Sequence, residues 1–149
     1  MLPCSVGALV RLPFHDALGG GRPNGKGGPN GCVDFTFSGN NGLQLVVLQL
    51  QSLYNASWSQ TLSFADFIVL AGNTAIVAAT TIDGEACCGL ETPTKPLVLP
   101  FRYGRVDDAS CNGVDAPFLP SALNSYAETA ANFVTRVGMT PKQLVSIIG

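Results

Sequence analysis

The chain has 149 residues, 12% of them charged, with a net charge of −2, a pI near 5.1 and a mean hydropathy of +0.29. That length makes one domain, burying roughly 70% of its unfolded surface, and the slight acidic balance without a Lys/Arg cluster excludes nucleic acid and anionic membrane as partners. The longest apolar run, Phe67 to Ala79, is broken by Asn73 and is too short to span a bilayer. The high hydropathy instead predicts surface that packs against a cofactor or a further domain.

The N-terminal stretch has no positively charged n-region ahead of its short apolar segment, so it does not read as a signal peptide. The first element is a predicted helix, with Val6, Leu9, Val10 and Phe14 at helical spacing, ending near His15. Residues 17–30 form a Gly/Pro-rich loop. Leu43 to Leu53 is a second helix, apolar around much of its circumference and therefore expected to be well buried. Ser63-Phe-Ala-Asp66 reads as a capping box opening a third helix that runs to about Ala79. A long loop over 80–120 carries Pro93, Pro96, Pro100 and Pro117.

Ser121 to Val137 is a fourth predicted helix, with Leu123, Tyr126, Ala130, Phe133, Val134 and Val137 on one face and Gly138 as its stop. Thr140, Pro141 and Gln143 supply a cap, a first-turn proline and a capping-box partner for a fifth helix. The sequence stops at Gly149 soon after that helix opens, which reads as a fragment. Five cysteines (Cys4, Cys32, Cys87, Cys88, Cys111) leave at least one unpaired within the chain, and no C-x-x-C spacing suggests zinc. Asn55-Ala56-Ser57 is a formal glycosylation sequon of a kind that also arises by chance, and the compartment stays open.

Arg11 and His15 are four apart and share a helix face. A fixed cation beside a neutral imidazole suits cleavage of a peroxide bond: the imidazole moves a proton from one oxygen to the other while the guanidinium stabilises the developing charge. Taken alone, the pair also reads as a surface Arg and a capping His.

The surrounding residues make the pattern specific. Arg11-Leu-Pro-Phe14-His15-Asp16 resembles the distal-helix motif of the plant, fungal and bacterial haem peroxidases. Asn40-Asn41-Gly42-Leu43, Ser63-Phe-Ala-Asp66, Tyr103-Gly-Arg105-Val-Asp107, Leu119-Pro120 and the 138–149 segment are similar to further landmarks of that family, in the same order. The resemblance implies an all-α haem-peroxidase fold over residues 1–149, of which this chain is the incomplete, N-terminal distal half. It implies His15 as general acid/base, Arg11 as charge stabiliser, and Asn40 as the acceptor that fixes the His15 tautomer. Phe14 would pack over the haem with Arg11 and His15 beside it, Pro120 would border substrate access, and Asp66 and Arg105 would form a buried structural ion pair. Haem b would be the cofactor, with hydrogen peroxide and a small organic donor as partners, in a response to oxidative stress.

The family places a calcium ligand directly after the distal histidine, which is Asp16 here. Gly31, Asp34 and Thr36 would complete the set, oxygen ligands that suit a hard cation, although one extra residue separates Gly31 from Asp34. A turn-stabilising Asp16 is the alternative. The Gly20 to Lys26 stretch nearly spells a phosphate-binding loop but has Gly27 where Ser or Thr is required. Adjacent Cys87 and Cys88 bond each other poorly, so a structural or unpaired role is expected for them.

The resemblance also marks departures. The family's proximal iron ligand is a histidine two positions beyond the place matched by Gly149, and His15 is the only histidine here. Ala17 stands where the secreted plant class has a bonded cysteine, leaving the fungal secreted and intracellular classes. Pro13 interrupts the distal helix and is expected to bend it. Two readings follow: a haem peroxidase reducing hydrogen peroxide, or a non-catalytic remnant or binding domain of the same fold.

Overall fold

A computed structural model describes residues 5–19, 21–22, 26–81, 97–109, 121 and 123–148. Pro120, the predicted border of substrate access, lies outside these residues, as do Cys4, Cys87, Cys88, Cys111 and most of the predicted 80–120 loop. Among the described residues the fold is all-α: helices α1 (Ser5–Gly19), α2 (Gln44–Ser57), α3 (Phe64–Thr81), α4 (Tyr126–Ala130) and α5 (Pro141–Ile148). A two-residue antiparallel ladder pairs β1 (Gly21–Arg22) with β2 (Lys26–Gly27) inside the Gly-rich segment. No described helix is long and apolar enough to cross a membrane.

Helix α1 continues through Pro13 and past His15 to Gly19, so it does not end where the sequence predicted. Proline removes one N–H and crowds the carbonyl four residues back, which here is that of Leu9. The accommodation is on α3. A Cβ at Gly72 would lie 2.8 Å from the Pro13 ring and 3.1 Å from the Leu9 carbonyl oxygen, so only glycine lets α3 approach that part of α1.

Helix α1 is held in two cores at once. Leu12 joins Leu43, Val46, Leu50, Phe64, Phe67 and Ile68 in the larger core, and Leu18 joins Phe133 and Leu144 in the smaller. Each fully buried side chain of this kind contributes about 1.5–3 kcal/mol. His15 lies between these anchors. Residues 131–136 continue α4 as a wider, π-type turn that brings Phe133 to the smaller core.

Two expectations about helix faces are corrected. Helix α2 buries only the stripe through Val46 and Leu50, while Leu45 and Leu48 are 73% and 63% exposed. Leucines on both faces raise the hydropathy, but one neighbouring layer covers a single stripe. The fourth helix begins at Tyr126, not Ser121, because Ser125 and Glu128 form a complete capping box there. Leu123 is 95% exposed and Tyr126 also faces outward, so of the predicted face only the portion from Ala130 onward packs inward. The Thr140–Gln143 capping box forms as expected: Gln143 N donates to Thr140 Oγ1 and Thr140 N to Gln143 Oε1.

The predicted box at Ser63 is formed only in half. Ser63 Oγ accepts from Asp66 N at 3.1 Å, but the Asp66 carboxylate does not return to the Ser63 N–H. It turns to residues 104 and 105, and the N-terminus of α3 is capped by Asp107. That carboxylate accepts from Phe64 N and Ala65 N, each at 2.8 Å, one at each oxygen.

Candidate active site

Helix periodicity sets Arg11 and His15 side by side, and Arg11 Nε donates to His15 Nε2 at 3.0 Å. The rest of the guanidinium is tied to a short 3-10 turn, Ser38–Asn40, and the residue after it: Nη1 donates to the Asn41 carbonyl at 3.0 Å and Nη2 to the Gly39 carbonyl at 2.5 Å. The same turn holds the imidazole. Asn40 is buried, and its Oδ1 lies 2.7 Å from His15 Nδ1.

The tautomer follows from Asn40's other end. Asn40 Nδ2 donates to the Asp34 backbone carbonyl at 2.7 Å. A carbonyl only accepts, so the amide group must face it and the Asn40 oxygen must face His15. Nδ1 therefore carries the proton and Nε2 keeps a lone pair beside the guanidinium. Burial lowers the His15 pKa, Asn40 opposes this by accepting from the ring, and the Arg11 charge lowers it further. The imidazole is thus neutral at neutral pH, with its basic nitrogen shared with Arg11 until a substrate proton competes for it.

Phe14 meets the His15 ring edge-on, with centroids 5.9 Å apart, and tilts against Phe133 at 6.3 Å. Val6, Val10 and Phe14, spaced four apart, leave a partly exposed apolar stripe on α1 next to the stripe that carries Arg11 and His15.

The four candidate calcium ligands are arranged otherwise. Asp16 is fully buried, with Oδ1 accepting from Asn30 N and Cys32 N and Oδ2 from Gly31 N, at 3.1–3.2 Å. Burial pushes its pKa up to about 6, against the pull of those three N–H groups. Asp34 Oδ1 accepts from Thr36 N and Oγ1. Gly31, at φ +75°, is required by close packing: a Cβ there would meet Asp107 Oδ1 at 3.0 Å and Ala65 N at 3.1 Å. Backbone N–H groups thus bond both Asp16 oxygens. Asp16 has the turn-stabilising geometry, and calcium held by Asp16, Gly31, Asp34 and Thr36 is a proposal that the family resemblance alone carries. Cys32, in the same turn, is disulfide-bonded.

Asp66 and Arg105 pair at 2.7 Å, with the carboxylate buried and the guanidinium partly exposed. Burial pushes the Asp66 carboxyl up, but the N–H of Gly104, at 2.6 Å, and the Arg105 side chain outweigh it and hold the pKa below the usual carboxylate range. Gly104 takes φ +108° to aim that N–H. Asp107, two residues on, caps α3, and Asp108 N donates to the Asn30 carbonyl, so one strand of chain ties α3 to the Asp16 turn. Sequence reading gave Asp107 no role and missed the carbonyls of Gly39, Asn41 and Asp34, because backbone acceptors leave no residue-type signal.

A family model described as peroxidase matches residues 3–149. No curated protein matches the chain.

Proposed function

This chain belongs to the peroxidase family, and we propose that it forms the peroxide-activating side of a haem-dependent peroxidase that reduces hydrogen peroxide at the expense of a small organic donor. The observation that carries this reading is the Asn40 bridge. By donating to the Asp34 carbonyl and accepting from His15 Nδ1, it leaves the Nε2 lone pair beside a fixed cation.

His15 Nε2 takes the proton from one peroxide oxygen and returns it to the other, which leaves as water. Arg11 stabilises the charge on that departing oxygen, and its ties to Gly39 and Asn41 hold the guanidinium in place without reorganisation. Haem, when bound, supplies the electrons that break the O–O bond. The residues on this side fit it: Val10 and Phe14 offer an exposed apolar surface for a flat ring, with the polar pair adjacent. The one histidine has both ring nitrogens engaged in the site, so it is not free to hold the iron. That same fact favours a second reading, a binding domain of the peroxidase fold without turnover of its own.

A hemin titration of the purified chain, followed by Soret absorbance and turnover, separates the two. Saturable binding with turnover that falls about 10²–10⁴-fold in His15→Ala is the expected result for general acid/base catalysis. Turnover indifferent to His15→Ala and Arg11→Ala removes the catalytic reading.

A further inference from the structure

We infer that Asn55 carries an N-linked oligosaccharide, placed at the end of an apolar helix face that no other part of the described chain covers. The assignment does not depend on the peroxidase reading. Asn55-Ala56-Ser57 is the only Asn-x-Ser/Thr triplet in the 149 residues, and its middle residue is not proline. All three residues are exposed in the last turn of α2.

The helix geometry makes the position informative. Leu43, Val46, Leu50 and Tyr54 recur at three- and four-residue intervals and face the core, with Tyr54 donating to the Leu62 carbonyl and its ring tilted against Phe64 and Phe67. Leu48 and Asn55 are seven apart, and Leu45 and Ser52 likewise; seven residues are two turns, so these four lie together on the opposite face. Two of the four are leucines, 73% and 63% exposed. A glycan rooted at Asn55 leaves the core contacts of Tyr54 untouched and can fold back over the leucines. It also stands clear of the catalytic pair, because Asn55 is about 16 Å along α2 from Gln44, the end that follows the Ser38–Asn40 turn.

Cys32 is an independent pointer to the compartment. It is disulfide-bonded, and such bonds persist in oxidising surroundings such as the secretory pathway, where oligosaccharide transfer takes place. In the step itself, the Asn55 amide nitrogen forms a bond to the anomeric carbon of an oligosaccharide carried on a polyprenyl diphosphate. The carbon–oxygen bond to the diphosphate breaks, the diphosphate leaves with the electron pair, and the amide nitrogen loses one proton. Nothing is oxidised or reduced.

The test is the intact mass and peptide map of the chain isolated from its own source cells, alongside variants expressed in those cells. The expected result is a hexosamine-rich adduct on the Asn55 peptide, removed by peptide N-glycosidase with conversion of Asn55 to aspartate. It is lost in Asn55→Gln and Ser57→Ala and kept in Ser57→Thr. Recovery of unmodified Asn55 from the native chain overturns the assignment, and so does an adduct that survives Ser57→Ala.

Discussion

Replacing Asp107 by alanine removes both acceptors at the N-terminus of α3. The Phe64 and Ala65 N–H groups then have only water for partners, because their 2.8 Å bonds run to the two Asp107 oxygens. A hydrogen bond to a charged group nets about 1.5–3 kcal/mol when dry. Asp107 is exposed, however, so water recovers part of that, and the typical cost of a helix-cap deletion, about 1 kcal/mol for each donor lost, is the better guide. Two donors give a loss of about 2 kcal/mol, or a Tm lower by about 4–8 °C for a chain of this size. Thermal unfolding followed by far-UV circular dichroism measures it, with Asp107→Asn and Ser63→Ala as companions. Asparagine keeps one oxygen and loses about half as much. The reasoning fails if Asp107→Ala stays within about 0.5 kcal/mol of the parent, the range of ordinary surface substitutions. It fails equally if Ser63→Ala costs more than Asp107→Ala, which returns the cap to the local serine.

Three further outcomes follow from the same geometry. Asp16 binds its proton more tightly folded, with a pKa of about 6, than unfolded, at 3.8. Its stabilising contribution is therefore full below pH 3.8 and lost as pH rises through about 6. At 1.36 kcal/mol per pH unit this amounts to about 3 kcal/mol. Urea unfolding at both ends of that window should show the parent gaining on Asp16→Asn toward acid; a constant difference contradicts it. Gly72→Ala forces a methyl to 2.8 Å from Pro13, an overpacking cost of about 1–3 kcal/mol that an unchanged Tm would disprove. Asn40→Ala removes the one contribution that raises the His15 pKa, so the single histidine resonance should titrate at lower pH in the variant, and a rise argues against the Asn40 bridge.

The pattern of legibility follows the range of each interaction. Arg11 and His15 could be paired from sequence because helical periodicity alone sets them on one face. The Thr140–Gln143 box was readable because both partners lie within one turn. The Ser63–Asp66 box had the same spacing, yet its acid was drawn away by Gly104 and Arg105, some forty residues on, and a second acid, Asp107, took over the cap. A local motif reports which bonds are available, and the tertiary neighbour decides which is made. The same limit governed α2, whose leucine-rich sequence does not say that only one side meets a neighbour. Asp16 was legible as a turn-stabilising or cation-facing carboxylate, but its burial and the N–H donors that face it depend on the path of the 30–32 turn.

The Ser38–Asn40 turn grips the base through a side chain and the cation through two backbone carbonyls. The turn therefore sets the separation of the imidazole and the guanidinium from outside the helix that carries both. For sequence drift the consequence is steep: a one-residue insertion between Thr36 and Asn40 displaces both groups in a single event. A substitution at Ser38 that keeps the backbone path leaves the two carbonyl grips intact, since those two belong to the backbone.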